Sequence, residues 1–203
     1  MKSLHEIILE KLKIRKSNKS SYKYFPKTKG ELQDLLKQLI EERGNEGDFN
    51  DIDTSKITDM LDLFCGIPKF NGNISGWNVS NVTDMKLMFF GCKLFNQDIS
   101  NWDVSNVTDM EWMFGSCKLF NCDISEWDVS NVTDMKYMFQ DCTLFNQDIS
   151  NWNVSNVTDM RYMFDGCKSF NQDISEWDVS NVEYKSNVFY NCPIEEKYQP
   201  KFR

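Results

Sequence analysis

Carboxylates and thiols recur along this 203-residue chain at a fixed step. Asp59, Asp84, Asp109, Asp134 and Asp159 form one series, Asp98, Asp123, Asp148 and Asp173 a second, and Cys92, Cys117, Cys142, Cys167 and Cys192 a third. Rows of carboxylate oxygen suit a hard cation such as Ca²⁺, and thiolates suit zinc or a disulfide. Like charges about 5 Å apart repel unless each accepts backbone N–H bonds or a cation lies between them. Capping of short helices accounts for the first aspartate series; calcium is the alternative for the second, although the glycine-rich pattern of calcium-binding repeats is missing. The cysteines contain no tight C-x-x-C pair and fall beneath Met and Phe columns, so they read as reduced core, and neither a metal nor a cofactor is expected. His5 is the chain's single histidine, which leaves Ser-His-Asp and Cys-His nucleophile systems almost nothing to be built from. No acid, base and nucleophile are grouped, so no enzyme is expected; carboxylate-only glycosidase chemistry is all the composition leaves open.

The residues that position these series are themselves periodic. Trp77, Trp102, Trp127, Trp152 and Trp177 stand 25 apart, and residues 102–126 agree with 127–151 at 18 of 25 positions. Phe49, Ile52, Ile57, Met60, Leu63 and Phe64 occupy the columns of Ile74, Trp77, Val82, Met85, Met88 and Phe89, so a degenerate first unit begins near Asp48. Lys185 replaces a methionine and Cys192-Pro193 ends the pattern, which gives six coils over 48–192. In each coil Trp102 and Val104 alternate as a short strand requires. Met110, Met113, Phe114 and Cys117 then lie at i, i+3, i+4 and i+7, the spacing of one helical face, behind Thr108-Asp109 as capping residues. The expected fold class is α/β: a repeat solenoid with short parallel strands on one side and short helices on the other, its tryptophan and cysteine ladders buried by stacking. Asn81, Asn106, Asn131, Asn156 and Asn181 are expected to satisfy turn backbone from one coil to the next.

The unit W-D-V-S-N-V-T-D-M-x-x-M-F-x-x-C-x-x-F-N-x-D-I-S resembles the 25-residue repeat of the BspA-type leucine-rich-repeat family, found in mycoplasma lipoproteins, other bacterial surface proteins, and phage or viral genomes. The resemblance covers about 145 of the 203 residues. It implies a right-handed, leucine-rich-repeat-like solenoid, a protein-binding or adhesive role and no enzymatic activity, and it names no ligand. A phage- or virus-encoded member is consistent with a start that shows no lipoprotein cysteine.

Ahead of the coils, Thr28 and Glu31 form a capping box, Leu32, Leu35, Leu36, Leu39 and Ile40 a stripe, and Gly44 a stop. These predict a capping helix within 25–47 that covers the first coil. Residues 1–24 read as an amphipathic, basic leader and tether, in which Ser3 and Glu6 cap a helix with Ile7, Ile8, Leu12 and Ile14 on its apolar side. That leader either packs on the domain or anchors to a partner, a capsid or an acidic membrane surface. Residues 193–203 form a tail. No apolar run is long enough for a transmembrane segment, and Glu6 and Glu10 fall where a signal peptide's core would be. A cytoplasmic or virion-associated location is therefore expected rather than the cell surface.

The net charge of −8 divides unevenly, since residues 1–47 carry 11 basic and 7 acidic groups and residues 48–203 carry 12 and 24. So acidic a body repels phosphate backbones, so no nucleic acid is expected on the coils; a protein partner with a basic surface is. Two candidate surfaces follow. Leu87, Trp112, Tyr137 and Tyr162 fall off the buried helical face among Lys86, Glu111, Lys136 and Arg161, the aromatic-plus-charge chemistry of interaction hot spots. Asp103, Glu126, Asp128, Glu176 and Asp178, with Asn101, Asn151 and Asn153, point outward from the strands as an acidic face. The reading is a non-enzymatic protein-protein interaction module. Its alternative is a structural or virion-associated protein that self-assembles as a homo-oligomer or is docked by its leader.

Overall fold

A computed structural model describes residues 22–202, so the expected leader helix over 3–14 lies outside the described residues. Helix α1, Lys29–Arg43, precedes the coils. Its start is set locally: the Thr28 hydroxyl accepts the Glu31 N–H at 3.2 Å while the Glu31 carboxylate accepts the Lys27 N–H at 2.7 Å. Gly44 ends it at φ +77°, donating its N–H to the Ile40 carbonyl, a left-handed stop that glycine adopts without a Cβ clash. Leu32, Leu35, Leu36 and Leu39 are buried. Lys29 and Gln33 reach across to Asp62 of the first coil, so α1 lies over the end of the stack that would otherwise expose apolar surface.

Beyond α1 the coils hold neither repeat helices nor a sheet among the described residues, which overturns the expected α/β architecture. Parallel pairing between successive coils is reduced to single bridges, down the column Asp59, Asp84, Asp109, Asp134, Asp159 and Tyr184 and once more between Asp48 and Asn73. The reason lies in where the backbone bonds go. In the segment expected to be helical, the N–H groups of Met85, Leu87, Phe89 and Gly91 donate to Asp109, Glu111, Met113 and Gly115 of the next coil, at 2.8–3.0 Å. An α-helix would send the Phe89 N–H to Met85 instead. The chain bends by consecutive turns, Met88 onto Met85 and Cys92 onto Phe89. Leu87 and Gly91 are left-handed, as the second central residue of a type II turn must be.

The expected strand fails for a related reason. Trp102, Asp103 and Val104 do alternate buried, exposed, buried, but the Trp102 N–H closes a turn on Ile99 and the Val107 N–H one on Val104. Aspartates close further turns through their side chains: Asp98, Asp103 and Asp109 each accept the N–H two residues on, from Ser100, Ser105 and Glu111. Asp109 and its equivalents therefore cap turns, not helices.

Stacking buries what one coil cannot. The five repeat tryptophans are 3–6% exposed, and each indole N–H donates to a carbonyl of the preceding coil, as Trp127 does to Ile99 at 3.1 Å. Phe89, Phe114, Phe139 and Phe164 stack on Phe95, Phe120, Phe145 and Phe170 with centroids 3.9–4.3 Å apart, forming a double aromatic ladder. Beside it the thiols of Cys92, Cys117, Cys142 and Cys167 donate to phenylalanine carbonyls of the preceding coil. Cys192, half-buried, reaches the Phe170 carbonyl at 3.5 Å. Burial pushes the Cys92 thiol up to about 12, and all seven cysteines are free. The asparagine column also joins coils, Asn106 donating its side-chain amide to the Ser80 carbonyl at 2.8 Å.

Candidate interaction surfaces

Leu87, Trp112, Tyr137 and Tyr162 share one column of the turn segment and are half-buried. The structure does not set them on the flank of a helix. It sets them on left-handed turn residues with φ of 58–59°. Trp112 stacks on Tyr137 at 4.2 Å between centroids, Tyr137 on Tyr162 at 4.9 Å, and Phe90 meets Trp112 edge-on at 5.1 Å. Gly115 makes the room, since a Cβ there would stand 2.5 Å from a ring carbon of Trp112. Left-handed backbone costs an L-residue roughly 1–2 kcal/mol, and glycine, asparagine and aspartate tolerate it best. In the first and last coils this column is Asp62 and Asn187, the tolerant types. The four central coils carry bulky side chains in their place, so the turn itself does not call for a ring.

Charges beside the column are paired within the protein. Glu111 holds Lys86 of the coil before and Lys136 of the coil after, the latter at 2.8 Å. Burial pushes the Glu111 carboxyl up, and the hydrogen bonds from Lys136 and Lys86 together outweigh it, leaving it below its ordinary value. Arg161 forks onto Asp159 and lies 5.0 Å over the Tyr184 ring. In the first aspartate series, burial pushes the carboxyls of Asp84 and Asp134 up.

Asp103, Glu126, Asp128, Glu176 and Asp178 are exposed, with Asn101, Asn151 and Asn153, but they project from turns and not from a sheet. Asp128 accepts from the Ser130 N–H, as Asp178 does from Ser180. In the neighbouring series, hydrogen bonds from Ser100, Ser125, Ser150 and Ser175 hold the carboxyls of Asp98, Asp123, Asp148 and Asp173 below the usual range. The surface is anionic at neutral pH. Each of these aspartates accepts a backbone N–H of its own turn. Among the described residues no three His, Cys, Asp or Glu side chains converge as a metal ligand set would.

Two features escaped the sequence reading. Leu94, Leu119 and Leu144 form an exposed column at 41%, 42% and 48%; each precedes a ladder phenylalanine and lies outside the buried spacing. A groove of about 980 Å³ also lies beside Trp177 and Asp178, closed on its other side by Lys197, Gln199 and Pro200 of the tail. No helix among the described residues is long and apolar enough to cross a membrane.

The family model described as "Mycoplasma protein of unknown function, DUF285" matches residues 33–143 and again residues 121–197. No curated protein and no solved structure matches the chain. The two overlapping matches run from within α1 through the last coil, in agreement with the BspA-type resemblance read from the unit, and the chain therefore belongs to the DUF285 family of mycoplasma-type repeat proteins.

Proposed function

We propose that the protein is a non-enzymatic protein-interaction module whose contact surface is the column Leu87, Trp112, Tyr137 and Tyr162, with the acidic columns drawing in a partner of basic surface. The observation that carries this reading is the placement of bulky side chains at left-handed φ in the four central coils, where the end coils use Asp62 and Asn187. Strain of this kind is retained where the side chain does something the backbone does not need. Half-exposed, rigid rings supply contact area at little entropic cost, which is why aromatics dominate binding hot spots. The anionic side chains of Asp103, Glu126, Asp128, Glu176 and Asp178 add long-range attraction for a basic surface and disfavour nucleic acid.

Affinity capture from host-cell lysate tests this, comparing the intact chain with a Trp112→Ala/Tyr137→Ala/Tyr162→Ala variant of unchanged circular dichroism. A protein held by the first and lost by the second is expected, with association that slows as salt is raised. A partner retained by both would move the site off the ring column. Nothing retained by either, together with a concentration-dependent mass, would replace the module by a self-assembling structural protein.

A further inference from the structure

We propose that the last coil carries a second docking site, in which an acidic segment of a partner protein, bent by consecutive turns as the coils' own segments are, pairs with the open backbone edge over residues 185–191. Each turn segment is polar along the stack. Its carbonyls at Asp84, Lys86, Met88 and Phe90 accept from the coil before, and its N–H groups at Met85, Leu87, Phe89 and Gly91 donate to the coil after. Five such four-rung ladders occur among the described residues, ending with Met160, Tyr162, Phe164 and Gly166 donating to Tyr184, Ser186, Val188 and Tyr190. The N–H groups of Lys185, Asn187, Phe189 and Asn191 then have no acceptor among the described residues.

Among the described residues the tail offers no carbonyl to this edge. It runs beside Trp177 and Asp178, where the Ile174 N–H donates to Tyr198 at 3.0 Å, and only the Phe202 ring reaches the Phe189 ring. Lys185, Ser186, Asn187, Tyr190 and Asn191 remain exposed. Tyr184 and Tyr190, at 53% and 59%, are the most exposed large apolar side chains among the described residues.

The polarity of the edge selects the occupant. A second copy presenting the same edge would set donors against donors, and its acceptor edge lies under α1. A segment bent by the same consecutive turns and offering carbonyls at alternate residues does fit, as the inter-coil ladders show. Charge narrows the choice further. Lys185 stands exposed where the preceding coils bury methionine, a cation beside the open amides. The left-handed Asn187 and Asn191 leave alternate N–H groups facing outward, and these oriented amides add partial positive charge. The inference does not rest on the ring column, so either site can fail alone.

Amide hydrogen exchange on the full chain tests it, with a peptide of residues 108–117 bearing Cys117→Ser as the probe. That segment fills the ladder of an earlier coil and carries Asp109 and Glu111. In the free protein the amides of Lys185, Asn187, Phe189 and Asn191 exchange about 100-fold faster than those of Met160, Tyr162, Phe164 and Gly166. Saturating probe slows those four amides about tenfold, and Lys185→Glu weakens binding about fivefold with an unchanged melting midpoint. Amides already slow in the free chain would overturn the proposal. So would an absence of probe-induced protection, protection confined to other residues, affinity indifferent to Lys185→Glu, or slowing that tracks formation of a dimer in sedimentation.

Discussion

Trp112 lies flat on Tyr137, ring centroids 4.2 Å apart and planes 10° apart, although both residues have left-handed backbones. Stack and strain oppose each other: an aromatic pair contributes about 0.5–1.5 kcal/mol, and the left-handed residue costs about 1–2 kcal/mol. Trp112→Ala keeps the strain and loses the contacts, so urea unfolding should show a loss of about 1–2 kcal/mol. Trp127→Ala empties a buried site and leaves the Ile99 carbonyl without its indole donor, which should cost about 3–5 kcal/mol. Equal losses would contradict the division between half-exposed column and core.

Gly91 and Ser116 occupy one column at φ +76° and +62°. Ser116→Gly should stabilise by about 1 kcal/mol and Gly91→Ala destabilise by about 1–2 kcal/mol. Nothing lies within 4 Å of a Cβ added at Gly91, so backbone strain alone changes there. Thermal unfolding followed by circular dichroism reads the two signs. A loss on Ser116→Gly would mean that the serine side chain outweighs its backbone.

Carboxylates of opposite behaviour sit side by side. Burial raises the Asp134 pKa in the folded chain, so the folded state binds the proton more tightly and stability falls as pH rises through the window above the ordinary carboxylate value. Asp134→Asn keeps the acceptor for the Lys136 N–H. It should raise the melting midpoint at pH 7, with the gain fading toward pH 3. Glu111 is the reverse. Its folded pKa is lowered because the two lysine hydrogen bonds outweigh burial, so its contribution is present above the ordinary 4.5 and lost as pH falls through the lower folded value. Glu111→Gln should lower the midpoint at pH 7 and matter less in acid. Shifts of the same sign at pH 7 would refute the assignment.

Thiol labelling separates surface from ladder. Cys65 is exposed, whereas Cys117, Cys142 and Cys167 are buried donors whose pKa values are raised well above the ordinary thiol range by burial. At pH 8 a disulfide reagent should modify Cys65 in the folded chain and reach the three ladder thiols only at the rate of unfolding. Rapid modification of the ladder in native buffer would place those thiols at the surface.

The 25-residue period was plain in the sequence because burial repeats with it. The position of α1 was equally legible, since Thr28, Glu31 and Gly44 are local signals. The internal form of the coil was not. Met110, Met113, Phe114 and Cys117 mark one buried side, and consecutive turns give that spacing as readily as a helix once the N–H groups bond to the next coil. The residue that would have betrayed the turn is Trp112, a type seldom left-handed. A turn signal was nonetheless present: Asp98-Ile99-Ser100 and Asp103-Val104-Ser105 repeat the Asx-turn pattern twice in each unit. The outward direction of Asp103 followed from its place between Trp102 and Val104. The clamp of Glu111 on Lys86 and Lys136 was hidden, because each partner lies 25 residues away, in opposite directions.

The junctions between interior coils use the same bonds: alternate N–H groups forward, carbonyls back, indole and thiol to the coil behind. Removing or copying one interior unit therefore re-forms each junction it breaks, while α1 and the tail keep their neighbours. Recombination between near-identical 25-residue segments can lengthen or shorten such a protein in whole steps. Each copy is then free to diverge at its exposed positions without disturbing the next.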